Sequence, residues 1–258
     1  MKINDIISLI ENEAPEKYAL SWDNPGLLIG DRDADVKRAL LCLDVTEQTA
    51  LQAAREGCGI IISHHPMFFG GVKRLTADTA VGRTVSTLMK NDIAVYACHT
   101  NMDAAKNGIN ARLAELFSLS DCTILVPDER FENIGIGRVG VLPEELSIKE
   151  LCETAKKLLK TPFVRAVMGG SGKIKKLAVA SGSCAEYIPR VKKLGADAII
   201  TADMKYHDSL DAFEDGIYVI DAGHYPTEFL VTDIFERILK DAPIETVKSE
   251  NRDVFTTI

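Results

Sequence analysis

Two adjacent histidines, His64 and His65, follow a run of three isoleucines and precede Pro66. Gly59 followed by Ile60, Ile61 and Ile62 reads as a fully buried strand. Pro66 cannot continue a central ladder, so the two imidazoles are expected where that strand stops. The carboxyl ends of strands are where open α/β sheets carry their chemistry. Neighbouring strand residues point to opposite faces, so His64 and His65 share one ion only if the backbone turns between them. Two ions, one per imidazole, is the simpler expectation. Asp103, His224 and Glu228 follow other apolar runs and complete a candidate ligand set, with His99 close to Asp103 in sequence. Imidazole and carboxylate without thiolate suit Zn, Mn, Fe, Co or Ni. Five side chains do not close two coordination spheres, and the remaining positions fall to water or substrate. Two such ions about 3.5–4 Å apart are a common device for hydrolysis. The competing reading makes these unrelated polar loop residues; against it, the chain has five histidines and two are adjacent at a strand end.

The elements that must position these residues follow from periodicity. Ile3, Ile6, Ile7 and Ile10 form one helical stripe, so the chain opens with an amphipathic helix. Residues 21–26 are turn chemistry. A strand from about Ala39 to Val45 leads to Thr46, an N-cap for a helix through Glu56 with Gly57 as its C′ residue. After the His64–His65 strand, Val81, Val85, Leu88 and Met89 suggest another helix. A strand from Ile93 to Cys98 delivers His99 and Asp103 to the same sheet edge, and Ile109, Leu113, Leu116 and Phe117 mark a third helix. The pattern breaks around residues 126–130, which reads as a domain boundary. Beyond it, Ile134–Leu142 reads as a strand, Ser147 and Glu150 form a capping box for a helix to about Leu159, and a strand is expected near 163–167. The glycines at 169, 170 and 172 lack the pattern of a phosphate loop and read as a hairpin or loop.

An internal repeat supports this layout. Residues 37–65 align without a gap onto residues 175–203, at a constant offset of 138, with strand, helix, glycine and strand in the same order. A second echo relates His99 and Asp103 to His224 and Glu228, so each half presents H-x-x-x-acid at a strand end. A period this long is no solenoid unit. The expected fold is α/β, with two related lobes and the metal site between their strand ends: a first lobe over 1–127, a second over 128–222, and a segment 223–258 that carries metal ligands and packs back on the first lobe.

Composition bounds the partners. A formal charge of −8 argues against a broad nucleic-acid surface or an anionic-membrane surface, and a 46% apolar content supports a sizeable core. The six cysteines lack CxxC spacing and read as small core residues in a reducing compartment. No apolar run reaches the roughly 18–20 residues that span a bilayer, and the first residues enter a helical pattern rather than a signal segment. The expectation is a cytoplasmic protein.

Five blocks carry a resemblance: Trp22-Asp23-Asn24-Pro25-Gly26, Ser63-His64-His65-Pro66, His99-Thr100-Asn101-Met102-Asp103-Ala104-Ala105, Lys205-Tyr206-His207-Asp208 and Gly223-His224-Tyr225-Pro226-Thr227-Glu228. Together they resemble the signature blocks of the Nif-three-like family, whose members are commonly named GTP cyclohydrolase 1 type 2 homologs. The resemblance implies a dinuclear metal centre between two similar α/β lobes and a toroidal homohexamer, with ligands on His64, His65, Asp103, His224 and Glu228 and His99 within the motif. It also implies a small-molecule substrate, a nucleotide among the candidates, and a short form without the middle domain of longer relatives. The residues favour a metal-dependent hydrolase of a nucleotide-like or phosphorylated small molecule; the alternative is a metal-binding ring that serves as scaffold, store or regulator without turnover. His207 reads either as a general acid or base beside the metals or as a histidine that bonds the opposite lobe, and His99 is the other catalytic candidate. Lys73 and Arg74 read as solvated rather than phosphate-binding. Trp22 either stacks on a base or lines the cavity mouth, or it anchors a core.

Overall fold

The computed structural model describes residues 1–256. In chain order the elements are α1 (Ile3–Glu13), β1 (Gly26–Ile29), β2 (Arg38–Cys42), α2 (Glu47–Arg55), β3 (Ile60–Ser63), α3 (Ala80–Lys90), β4 (Ala94–Ala97), α4 (Thr100–Ala104), α5 (Ile109–Leu116), β5 (Ser120–Pro127) and β6 (Gly135–Leu146). There follow α6 (Ile148–Leu159), β7 (Arg165–Met168), β8 (Ile174–Ser183), α7 (Ile188–Lys193), β9 (Ala198–Ala202), α8 (Tyr206–Glu214), β10 (Tyr218–Asp221), α9 (His224–Glu228), α10 (Val231–Leu239) and β11 (Glu245–Lys248). The described residues form two compact units: Met1–Met102 with Val231–Arg252, and Asp103–Leu230 with residues 253–256.

The first unit is built on a five-stranded sheet of order β1-β4-β3-β2-β11. Strands β2, β3 and β4 run parallel, and β1 closes one edge antiparallel to β4. Ile60, Ile61 and Ile62 are all buried, as the apolar run requires of a strand covered on both faces. Ile61 packs with Leu40, Cys42, Val95, Ala50, Ala53 and Leu88, the side that α2 and α3 cover. On α1 the buried residues are Ile3, Ile6, Ile7 and Ile10, the stripe read from the sequence. This helix packs with α10, which also meets β2 and β11. Thr46 caps α2 by accepting the Thr49 N–H, and Gly57 turns the chain out of it at φ +67°.

The second unit holds a six-stranded sheet of order β5-β6-β8-β9-β10-β7. Its parallel trio β8, β9 and β10 repeats the first unit in register: Ala39 pairs with Ile60, and Leu177 with Ala198, both displaced by 138. Gly195, the counterpart of Gly57, takes φ +66°. An antiparallel edge strand, β7, flanks β10 as β1 flanks β4. Ser147 and Glu150 form the expected capping box on α6. Residues 169–172 link β7 to β8, which are not neighbours in the sheet, so this glycine-rich segment is a loop and no hairpin. Of the six cysteines, Cys42, Cys58, Cys98 and Cys184 are buried, whereas Cys122 is exposed and Cys152 half-buried, and none forms a disulfide. No helix among the described residues is long and apolar enough to cross a membrane.

Burial and capping predict different stability costs. Ile61→Ala should lose about 2–5 kcal/mol through a core cavity, and Ser147→Ala about 1 kcal/mol through its cap. Chemical denaturation of the two variants checks this, and equal losses would contradict the assignment of Ile61 to a close-packed core.

Candidate metal centre

The strand-end rule holds for both units. In the first, β3 stops at Ser63, and bends at His64 and His65 replace the alternation of a strand. The backbone does turn between the histidines: their ring centroids lie 5.1 Å apart at 42°, so the opposite-face geometry of an extended pair does not apply. The ring of His99, which follows β4, lies 5.0 Å from that of His64 and 5.4 Å from that of His65. Each of the three offers a ligand atom within 4.8 Å of the other two.

Each ring is held at Nδ1. The Nδ1 of His64 sits 2.9 Å from the Cys98 carbonyl oxygen, which only accepts, so this nitrogen carries the proton. The Nδ1 of His65 is 2.8 Å from Asp44 Oδ1, and that of His99 is 2.8 Å from Asp23 Oδ1. In every case the tautomer that satisfies Nδ1 leaves Nε2 as the ligating nitrogen. Asp23 has a second task, since its Oδ2 accepts the Thr100 N–H at 3.0 Å at the start of α4 and also the Thr100 hydroxyl. Burial opposes ionisation of Asp23, but hydrogen bonds from His99 and Thr100 outweigh it, along with attraction to His99, and hold its pKa at about 2. The depressed value means that the ionised carboxylate favours the folded state at neutral pH. That contribution is full above about pH 4 and is lost as pH falls toward 2.

The second unit gathers the acidic candidate ligands. Asp103 lies on α4, and Ser181 Oγ at the end of β8 donates to its Oδ1 at 3.1 Å. Buried Asn110 ties the same two places together: its Nδ2 donates to the Asp103 carbonyl at 3.1 Å and its Oδ1 accepts the Ser181 N–H at 2.9 Å. Behind them Arg138, buried on β6, donates to the Ala105 carbonyl at 3.0 Å. His224 and Glu228 are one helical turn apart on α9, with His224 Nε2 2.8 Å from Glu228 Oε2. Here too Nδ1 has a carboxylate, Asp203 Oδ2 at 2.6 Å. Glu228 and Asp103 are both buried, with oxygens within 4.8 Å of each other. Gly182 makes room for them. At φ +64° it has a left-handed backbone, and a Cβ there would come 2.2 Å from Glu228 Oε1.

These donor sets fit divalent ions, with imidazoles fixed as Nε2 ligands and buried carboxylates of matching charge. Three residues that hold the histidine rings escaped the sequence reading: Asp23, Asp44 and Asp203. Asp44 and Asp203 follow strands β2 and β9, so the same strand-end rule pointed to them. His207 stands exposed on the first turn of α8, edge-on to Tyr206, and joins neither ligand group. Lys73 and Arg74 are exposed on the loop before α3. Trp22 is 59% exposed, so the core-anchor reading fails. A cavity of about 430 Å³ lined by Ile3, Ile29, Leu88, Met89 and Ala94 lies at the opposite, amino end of β4, away from the histidines.

A family model described as Duf34/NIF3 (NGG1p interacting factor 3) matches residues 1–254. The chain belongs to the Duf34/NIF3 family. A Clostridium perfringens member named GTP cyclohydrolase 1 type 2 homolog is 36% identical over 262 aligned residues, which span 100% of both chains. Among solved structures, the Bacillus cereus protein related to NIF3 superposes with a TM-score of 0.91 at 26% identity, covering 100% of this chain and 99% of that one. Reduced HcgD from Methanocaldococcus jannaschii gives 0.85 at 32% identity, covering 97% and 98%. The Duf34/NIF3 membership implied by the five sequence blocks therefore holds over nearly the whole chain, and so does the two-lobed α/β fold.

The carboxylates behind the imidazoles carry a prediction for this Duf34/NIF3 protein. Asp44→Ala and Asp203→Ala should each weaken metal binding by about 10–100-fold. Gly182→Ala should weaken it too, by displacing Glu228. Competition against a chelator measures all three, and unchanged affinity in both aspartate variants would show that the rings are oriented by something else.

Proposed function

We propose that both ligand groups serve one dinuclear centre, in which His64, His65, Asp103, His224 and Glu228 hold two divalent transition-metal ions (Zn, Fe, Mn, Co or Ni), and that the protein hydrolyses a nucleotide-like or otherwise phosphorylated small molecule. The observation that carries this reading is the uniform treatment of the imidazoles: His64, His65, His99 and His224 all have Nδ1 engaged by an oxygen. Surface histidines have no reason to share that arrangement; ligands do. Bound ions supply Lewis acidity toward a phosphoryl or carbonyl oxygen and lower the pKa of water. The protein's own part is to fix the rings through Asp44, Asp23, Asp203 and the Cys98 carbonyl, and to balance the ions' charge with Asp103 and Glu228. His99, backed by Asp23, can accept a proton at Nε2 and is the better placed of the two proton-transfer candidates. His207 is the other, exposed on α8. The family resemblance supports a toroidal homohexamer, and a cytoplasmic setting suits six cysteines without a disulfide.

A second reading, a metal-binding ring that acts as scaffold, store or regulator, shares the ligands and lacks turnover. Metal-replete protein should carry close to two ions per chain by elemental analysis, and His64→Ala should lose metal together with hydrolysis of a nucleotide and phosphoester panel. Two ions without turnover of any panel member selects the scaffold; one ion or none defeats the dinuclear centre. Occupancy should fall below about pH 6, because ligation requires neutral imidazole. Light scattering should report the mass of six chains, and a monomer at micromolar concentration overturns the ring.

A further inference from the structure

We propose that Trp22 and Phe69 form a subsite beside the histidines that binds the planar heteroaromatic ring of the ligand. The assignment deepens the hydrolase reading and rests on it for the reaction, while the ring contact itself stands on the side chains of the first unit. Trp22 is 59% exposed and Phe69 57%. Large aromatic side chains ordinarily bury most of their surface, and one exposed ring needs no explanation. Two exposed rings against the same candidate ligand do. The Trp22 ring lies 5.9 Å from that of His99 at 73°, and the Phe69 ring 5.6 Å from it at 74°.

The two rings are also held in place. Asn24 Nδ2 donates to the Phe68 carbonyl at 2.7 Å and so ties the Trp22 turn to the Phe69 loop. Asp23, next to Trp22, is fixed by His99 and Thr100. Val72 and Leu75, later on the same loop, are also 45% and 51% exposed. A bare phosphate gains nothing from such surfaces, whereas a heteroaromatic ring stacks on them regardless of its hydrogen-bonding edge. The residues therefore select for a flat ring and leave its identity open to neighbouring polar groups.

Trp22 is the chain's single tryptophan, so its fluorescence reports the subsite directly. Full-length protein, metal-stripped and then zinc-loaded, is titrated with guanosine monophosphate, adenosine monophosphate and ribose 5-phosphate, with calorimetry alongside. Both nucleotides should quench Trp22 in both metal states, and ribose 5-phosphate should not quench the metal-free form. Phe69→Ala and Trp22→Ala should each weaken nucleotide binding by about tenfold in calorimetry, with metal content unchanged. Failure of either nucleotide to quench, equal binding of ribose 5-phosphate to metal-free protein, or unaltered affinity in both variants overturns the subsite. Nucleotide binding that meets these terms without turnover leaves the subsite standing and removes the hydrolase reading alone.

Discussion

An imidazole has two nitrogens, and a metal ligand needs one of them stripped of its proton and aimed. That constraint organises the chemistry-bearing ends of both sheets. Where Nδ1 meets a carbonyl, as in His64, the proton has one place to be; where it meets a carboxylate, as in His65, His99 and His224, the imidazole also becomes a better donor at Nε2. The oxygens that do this come from rigid places. Cys98 directly follows β4, Asp44 and Asp203 follow β2 and β9, and Asp23 is locked by Thr100 at the start of α4. The buried strands thus matter to the site chiefly as a frame that sets an oxygen atom 2.6–2.9 Å from the Nδ1 of each ring.

The duplication clarifies how one frame came to hold two different ligand groups. By the ladder register, His65 after β3 corresponds to Asp203 after β9, so a candidate ligand in one unit stands where a carboxylate that holds a histidine ring stands in the other. His99 after β4 corresponds instead to the region of His224 after β10. The ladders relate Ala94 to Tyr218, a displacement of 124, whereas the motif alignment needs 125. The extra residue falls at the turn that contains Gly223, at φ +87°, which starts α9 and sets His224 and Glu228 one turn apart. The repeat conserves the placement of strand ends, and the side chains there have exchanged roles.

Much of this was legible because buried elements write strong patterns. The isoleucine run of β3, the Thr46 cap, the Ser147–Glu150 box and the repeat all survive in the structure. The strands the sequence did not reveal are β1, β5 and β11, and every one is a sheet edge. An edge strand is covered on fewer sides and needs no apolar run; β5 is mostly exposed and even ends on Pro127, which an edge tolerates. Residues 126–130 looked like a break between domains for that reason. The three buttressing aspartates were hidden differently. The chain has 38 acidic residues, and nothing local separates Asp23, whose partner His99 is 76 positions away, from acids that merely face water.

Two buried thiols near these groups are held in the protonated form. Burial raises the pKa of Cys42 well above its ordinary value, with Asp44 adding to the effect, so its sulfur stays protonated. Cys184 is driven the same way, first by burial and then by repulsion from Asp103 and Glu228. A thiolate there would have to form in an apolar setting beside two carboxylates. The same negative charge that disfavours the thiolate favours a cation. Cys184 Sγ is also turned to another partner, since it donates to the Ser181 carbonyl oxygen at 3.2 Å.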